Sequence, residues 1–192
     1  MSKREEIVKH AIALFSERGI EHTTVSHIVK AGNMAQGTFY NYFPSKMALM
    51  PAIAEEMVKL MMQEIRNNVF DDLSIEVKFV QIVDSIFKIN KEHSEILAMV
   101  YAGLAQTEHL KEWESIYEPC YEWMSHTIET AKEKGELAST TSSDQLAKLV
   151  IGLIESAAEQ IYLYNYADET EVHKQKQAVL TFLFAALQLK SR

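Results

Sequence analysis

The chain has 192 residues, of which 47% are apolar, so it can bury a large core and is not a disordered chain. Its single cysteine, Cys120, excludes an internal disulfide and a cysteine-based zinc site. The net charge of −8 is unevenly spread, because residues 1–50 carry six basic and four acidic side chains. The first residues lack the apolar region of a signal peptide, and no apolar run is long enough to span a membrane. We therefore expect a cytoplasmic protein with a weakly basic head and an acidic remainder.

Capping residues and the spacing of apolar residues predict four helices in the first third of the chain. Ser2 and Glu5 form a capping-box pattern before a helix that ends at Gly19. Thr24 is placed to cap a short second helix, and a third begins near Gln36. A fourth is predicted from Ser45–Lys46 to about Val69, with Pro51 inside it as a point where the helix bends or breaks.

The remainder also has helical spacing of apolar residues and no convincing alternation typical of strands. Helices are predicted from Ile75, over residues 94–104, and over 108–134 with an interruption at Pro119. The polar loop 139–143 precedes a helix from Ser142 to about Tyr164, and Asp168 starts the last helix, which ends near Leu189. The predicted fold is thus all-α with about nine helices.

Residues 24–50 carry the most specific pattern. Two short helices flank Gly32-Asn33-Met34, and Asn tolerates the left-handed backbone that such a tight turn needs. The third helix would bury Phe39 and Phe43 and present small or hydrogen-bonding groups on its other face, suited to base edges and phosphates. This arrangement predicts a helix-turn-helix that binds DNA.

The run Thr23-Thr24-Val25, Ile28, Gly37-Thr38-Phe39-Tyr40-x-Tyr42-Phe43-Pro44-Ser45-Lys46 and Leu49 closely resembles the DNA-binding signature of the TetR family of regulators. The resemblance covers about residues 5–50. It implies that the helix from Gln36 is the recognition helix, that Thr24, Tyr42 and Lys46 hold phosphates, and that two subunits joined by their last two helices bind an inverted repeat. The candidate DNA-binding residues are Thr24, Ala35, Gln36, Gly37, Thr38, Tyr40, Asn41, Tyr42 and Lys46.

Two positions depart from the family pattern. Asn33 stands where the family usually has Gly, and Ala35-Gln36 stands where it often has Ser-Lys. The second change removes a positive charge and places an amide at an expected base-reading position, so the operator sequence is not predicted.

Aromatic and methionine side chains concentrate between residues 75 and 164. At helical spacing they would form either plain core or the wall of an effector cavity between helices, and the resemblance implies a cavity. The candidate pocket residues are Phe79, Val83, Phe87, Met99, Trp113, Tyr117, Tyr121, Met124 and Tyr162. With Glu112, Glu118 and Glu122 nearby, a cation-bearing apolar effector would fit, and an uncharged lipid-like one would fit nearly as well.

No catalytic, metal or cofactor site is predicted. The seven histidines lack metal-binding spacing, and no catalytic triad order or phosphate-binding glycine loop is present. The last two helices each carry two apolar faces, which suggests burial against both the body and a second subunit, or else a monomer with these helices as core.

The sequence therefore predicts a homodimeric DNA-binding regulator, with a helix-turn-helix domain at residues 1–46 and a ligand-binding and dimerisation domain at residues 47–192. The expected partners are double-stranded DNA and a small apolar or amphipathic effector. Repression is implied by the family rather than by any residue. The alternatives are a helical ligand carrier with a vestigial DNA head, and a DNA-organising factor without an effector.

Overall fold

The computed structural model describes residues 2–104, 113–164 and 168–189. Its α-helices begin with α1 (Lys3–Arg18), α2 (Val25–Ala31), α3 (Gln36–Tyr40), α4 (Met50–Asn68) and α5 (Ile75–Glu92). They continue with α6 (Ser94–Leu104), α7 (Trp113–Ile116), α8 (Glu118–Glu133), α9 (Ser143–Glu159) and α10 (Glu169–Leu187). The predicted all-α fold is confirmed, with ten helices in the described residues instead of about nine. Among these residues, no helix is long and apolar enough to cross a membrane.

Local hydrogen bonds define the ends of α1, α9 and α10 close to where the sequence predicted them. Ser2 and Glu5 form the capping box of α1, and Gly19 ends that helix with φ 78°. The Asp168 carboxylate accepts from the backbone N–H groups of Thr170 and Glu171 at 2.9 Å and so caps α10. At α9, the Ser142 hydroxyl oxygen accepts from the N–H of Gln145 at 3.3 Å. The expectations for all three helix starts are confirmed.

The start of the fourth helix was predicted too early. Met47–Leu49 form a 3₁₀ turn, with the Ser45 hydroxyl accepting from the N–H of Ala48, and α4 begins only at Met50. Pro51 is thus the second residue of α4, where its missing N–H is tolerated. The predicted break between Met47 and Pro51 takes the form of this change in helix type, not a kink inside a long helix.

Two later helices also differ from prediction. The predicted 108–134 helix is divided at Tyr117, and Pro119 lies in the first turn of α8 instead of interrupting it. Residues 108–112 lie outside the described part of the chain. The helix predicted to reach Tyr164 ends as α9 at Glu159 and continues as a π-helical turn over Gln160–Tyr164.

The chain divides into two compact units. Unit 1 comprises Met1–Met57 and Glu95–Ile116, and unit 2 comprises Val58–Ser94 and Tyr117–Arg192. In unit 1, α1 packs on α2 and α2 on α3 around Ile7, Phe15 and Ile28. In unit 2, α9 packs against α5, α8 and α10. The fully buried core of unit 2 includes Phe79, Ile82, Val83, Ile86, Phe87, Met124, Ile128, Ile151 and Ile154.

Candidate DNA-binding face and effector-binding body

The turn between α2 and α3 is held by backbone geometry. Asn33 has φ 50°, the left-handed conformation that was predicted for it. The N–H of Met34 donates to the Val29 carbonyl at 2.8 Å and closes the turn. Gly32 has little free space, because an added Cβ would lie 2.3 Å from Cε of Met34 and 3.0 Å from the His10 ring. The turn therefore depends on Asn33 for its conformation, whereas a side chain at Gly32 would require the end of the flexible Met34 side chain to move.

Thr24 and Thr23 have separate tasks at the start of α2. The Thr24 hydroxyl accepts from the N–H of His27 at 3.2 Å, and the His27 ring accepts from the N–H of Thr24 at 3.3 Å. Thr23 is fully buried and its hydroxyl donates to the Gly19 carbonyl at 2.8 Å. Thr24 thus remains on the surface at the helix start, while Thr23 fixes the preceding loop.

Two buried phenylalanines orient α3. Phe39 is fully buried and Phe43 nearly so, with their ring centroids 5.7 Å apart. The Arg4 guanidinium lies 5.7 Å above the Phe43 ring, and it also pairs with Glu55 at 3.1 Å. Because a five-residue helix is not stable alone, this packing determines which face of α3 meets solvent.

The exposed face of α3 carries the predicted contact residues. Tyr40 and Tyr42 have 51% and 46% of their surface exposed, which is high for aromatic side chains. Nothing lies within 4 Å of a Cβ added at Gly37, so no neighbouring group requires glycine there. Thr38 is half-buried, and the other predicted contact residues on or beside α3 are exposed: Ala35, Gln36, Gly37 and Asn41.

Lys46 has internal partners that the sequence did not predict. Its ammonium donates to the Ile20 carbonyl at 2.6 Å and to the Thr23 carbonyl at 2.9 Å. Lys46 thus ties the loop before α2 to the segment after α3. Because every residue has a backbone carbonyl, no sequence pattern could have identified these two as acceptors. An ammonium has three N–H donors, and two of them are used here.

The predicted pocket residues of unit 2 fall into buried and half-buried positions. Phe79, Val83, Phe87 and Met124 are fully buried, and Tyr117 is nearly so. Among the described side chains of the set, the Phe87 ring contacts the Tyr162 ring at 6.2 Å and the Tyr117 ring contacts the Tyr121 ring at 5.8 Å. Tyr121 and Tyr162 are half-buried. Their membership of one cavity stays a prediction.

The remaining two predicted pocket residues are Met99 and Trp113. Met99 is half-buried on α6 and belongs to unit 1. The side chain of Trp113 lies outside the described residues.

The carboxylates named from the sequence are not the buried ones. Glu118 and Glu122 are exposed on α8, and Glu112 lies outside the described residues. Instead, Glu155 of α9 accepts a hydrogen bond from the Tyr117 hydroxyl at 2.8 Å. Burial raises the pKa of Glu155 to about 8, the bond from Tyr117 opposes this rise, and the nearby Glu159 carboxylate adds to it.

Cys120 is buried next to this carboxyl group. Burial, with a smaller contribution from Glu155, raises the pKa of the Cys120 thiol. A thiol with a raised pKa carries little thiolate and is therefore unreactive. Cys120 therefore acts as a small residue of the core.

An open polar groove of about 620 Å³ lies elsewhere in unit 2, along α8 from Glu122 to Lys132 and the loop 140–144. It contains none of the predicted pocket residues. Its polar groups bond one another, as where Ser125 donates to Asp144 at 2.5 Å and Ser143 donates to Glu129.

The outer faces of α9 and α10 expose large apolar side chains. Leu149 and Phe182 have 67% and 62% of their surface exposed, whereas the residues that follow them, Val150 and Leu183, are buried. Gly152 is exposed with open space around it, and Ala157 and Ala158 are buried. Each helix thus exposes one large apolar side chain, and a complete second apolar face on either helix stays a prediction.

Both parts of the chain match known families. Residues 7–53 match the model described as bacterial regulatory proteins of the tetR family, and residues 79–187 match the model of a tetracyclin repressor-like C-terminal domain. The HTH-type transcriptional regulator YvdT of Bacillus subtilis is 35% identical over 185 residues, which cover 96% of this chain and 95% of YvdT.

Two solved structures have the same fold. The TetR-family repressor FadR of Thermus thermophilus, in complex with lauroyl-CoA, gives a TM-score of 0.77 at 19% identity, covering 99% of this chain and 97% of FadR. A TetR-family regulator from Pectobacterium atrosepticum gives a TM-score of 0.75 at 20% identity, covering 98% of this chain and 95% of that one. At these identities the likeness establishes the fold.

Proposed function

The chain belongs to the TetR family of transcriptional regulators, and we propose that it represses transcription from an inverted-repeat operator until a small apolar or amphipathic effector binds its body. The observation that carries the proposal is the division of α3 into two faces. Phe39 and Phe43 anchor one face, while Gln36, Tyr40 and Asn41 remain exposed on the other. A ligand carrier would have no use for such an exposed polar and aromatic face.

The contacts to DNA divide by chemistry. Thr24, Tyr42 and Lys46 hold phosphates, which position the head without reading sequence. Lys46 does so with the one N–H that its two carbonyl bonds leave available. The residues facing base edges in the major groove are Ala35, Gln36, Gly37, Thr38, Tyr40 and Asn41. The DNA-binding domain is residues 1–46, and the effector-binding and dimerisation domain is residues 47–192.

The second subunit docks on the outer faces of α9 and α10. Leu149 and Phe182 would otherwise leave much apolar surface in water. A twofold dimer places two recognition helices on the two halves of an inverted repeat, and the second contact then occurs at high effective concentration. The effector, bound among the aromatic side chains of unit 2, changes the spacing of the two recognition helices and so releases the operator in the cytoplasm.

The proposal is tested by selecting binding sites from a pool of random duplexes and measuring affinity by fluorescence anisotropy. We expect an inverted repeat to be enriched. Gln36→Ala and Tyr40→Ala should each lower affinity by about 1–3 kcal/mol at particular base pairs. Enrichment of no sequence would contradict a sequence-specific regulator, and equal losses on every operator variant would remove these two residues from base reading.

Lys46→Ala tests the phosphate contact separately. It should weaken binding about equally on all sequences and reduce the salt slope by about 1 per subunit. Because the carbonyl bonds are also lost, the melting temperature should fall. Lys9→Ala is the matched control, since it removes one charge from an exposed position on α1. A change in melting temperature with an unchanged salt slope would make Lys46 purely structural.

A further inference from the structure

A single carboxyl group interrupts the apolar side of α9. Ile151, Ile154 and Ala158 are fully buried on this helix, and Glu155 lies among them in sequence and is only half-buried. The carboxylate faces the start of α8, where it accepts the hydroxyl of Tyr117 at 2.8 Å. A carboxylate can accept about four hydrogen bonds. Within residues 2–104, 113–164 and 168–189, no Lys, Arg or His forms an ion pair with Glu155.

Aromatic rings lie beside this carboxyl group. The Tyr117 ring contacts the Tyr121 ring at 5.8 Å, and the Lys148 ammonium lies 5.4 Å above the Tyr121 ring. The Lys148 ammonium thus already places one positive charge over the Tyr121 ring. Tyrosine rings and a carboxylate together attract positive charge, the rings through their faces and the carboxylate directly.

We propose that Glu155 is the anchor for the positively charged group of the effector, which is an apolar molecule carrying one ammonium group. The Tyr117 hydroxyl holds the carboxylate in place, and the Tyr121 ring lies beside the bound cation. This inference rests on the proposed function, since it specifies the chemical class of the effector that the body binds. The unfavourable burial of the Glu155 charge, visible in its raised pKa, is relieved when a cation supplies the missing partner.

The same geometry disfavours the other two headgroup classes. An anionic headgroup would meet Glu155 together with Glu159, whose charge already acts on Glu155. A neutral headgroup would leave Glu155 in its protonated, uncharged form and would gain no charge interaction from it. The proposal can therefore be tested by comparing ligands that have the same tail length and differ in the charge of the headgroup.

The experiment compares decyltrimethylammonium, decanol and decanoate, each below its micelle concentration, by isothermal titration calorimetry on the full-length protein. We expect the ammonium compound to bind most tightly. Glu155→Gln should weaken that binding about 30-fold or more, since a buried charge loses its partner, and should leave decanol binding unchanged. Glu76→Gln is the control, because it removes an exposed carboxylate from α5, and it should change ammonium binding less than about threefold.

Several results would overturn the proposal. These are equal binding of the ammonium compound by wild type and Glu155→Gln, tighter binding of decanol or decanoate, and no binding of any of the three. The proposed function is tested by a separate measurement, because operator binding by the effector-free protein does not involve Glu155. If operator binding fails while headgroup selectivity depends on Glu155, the proposed function is wrong and the cation site remains.

Discussion

Replacing Glu155 with Gln should make the stability of this protein less sensitive to pH. The pKa of Glu155 rises from 4.5 to about 8 on folding, with burial as the largest cause. Between these values the folded state holds a proton that the unfolded state has lost, so the free energy of unfolding falls as the pH rises through this window. Below about pH 4.5 the carboxyl group is protonated in both states and its effect disappears.

The size of the effect follows from the pKa change and the exposure of the side chain. At 1.36 kcal/mol for each pKa unit, a rise from 4.5 to about 8 gives an upper limit of about 5 kcal/mol. Glu155 keeps part of its surface in solvent, which lowers the effective penalty. We therefore expect Glu155→Gln to be about 2 kcal/mol more stable than wild type at pH 8.5 and nearly equal to it at pH 4.5. For a chain of this length, this corresponds to a difference of about 4–8 °C in melting temperature.

The assay is urea unfolding followed by circular dichroism at fixed protein concentration, from pH 4.5 to pH 8.5. Glu122→Gln serves as the control, because it removes an exposed carboxylate from α8 by the same chemical change. A difference between Glu155→Gln and wild type that stays constant across this range would mean that the carboxyl group does not titrate there. The argument from burial would then be wrong.

Four further substitutions test the head and the proposed subunit contact. Gly32→Ala should destabilise the protein by less than about 1 kcal/mol in thermal melts, because the Cβ would displace only the end of the flexible Met34 side chain and shift the His10 ring slightly. Gly37→Ala should be at least as stable as wild type, since alanine favours a helix, yet bind operator more weakly. Phe182→Glu should give monomers in analytical ultracentrifugation, and Phe70→Glu, at an equally exposed phenylalanine, should not. Pro51→Ala restores a backbone N–H near the Met47 carbonyl and should stiffen the backbone between the 3₁₀ turn and α4. Effector should then release less operator from the variant than from wild type. Equal release from both proteins would show that Pro51 serves only to begin α4.

The features that the sequence predicted well are set by neighbouring residues. A cap needs one side chain and backbone groups two or three positions away, so Ser2, Thr24 and Asp168 could be assigned from short patterns. The turn at Asn33 is local in the same way. The two-faced α3 was also predictable, because Phe39 and Phe43 are one helical turn apart and define the buried side.

The features that the sequence did not predict depend on partners far away along the chain or on the type of helix. Lys46 binds carbonyls more than twenty positions away, and a carbonyl belongs to every residue. Pro51 was placed inside a helix because nothing in the sequence distinguishes a 3₁₀ turn from the first turn of an α-helix at Met47. Glu155 did leave a signal, since it interrupts a run of apolar positions on α9, but its partner Tyr117 lies 38 positions away.

The shortness of α3, the proposed recognition helix, would allow DNA specificity to change while the fold stays constant. Five residues do not form a stable helix in water, and no side chain caps the start of α3. Its position therefore comes from Phe39, Phe43 and the Lys46 bonds, none of which needs the exposed face. Gln36 is solvent-exposed, so an exchange between glutamine and lysine here would alter the group offered to DNA without disturbing packing. Substitutions at Phe39 should thus weaken all operators alike, whereas substitutions at Gln36 should change which operator is preferred.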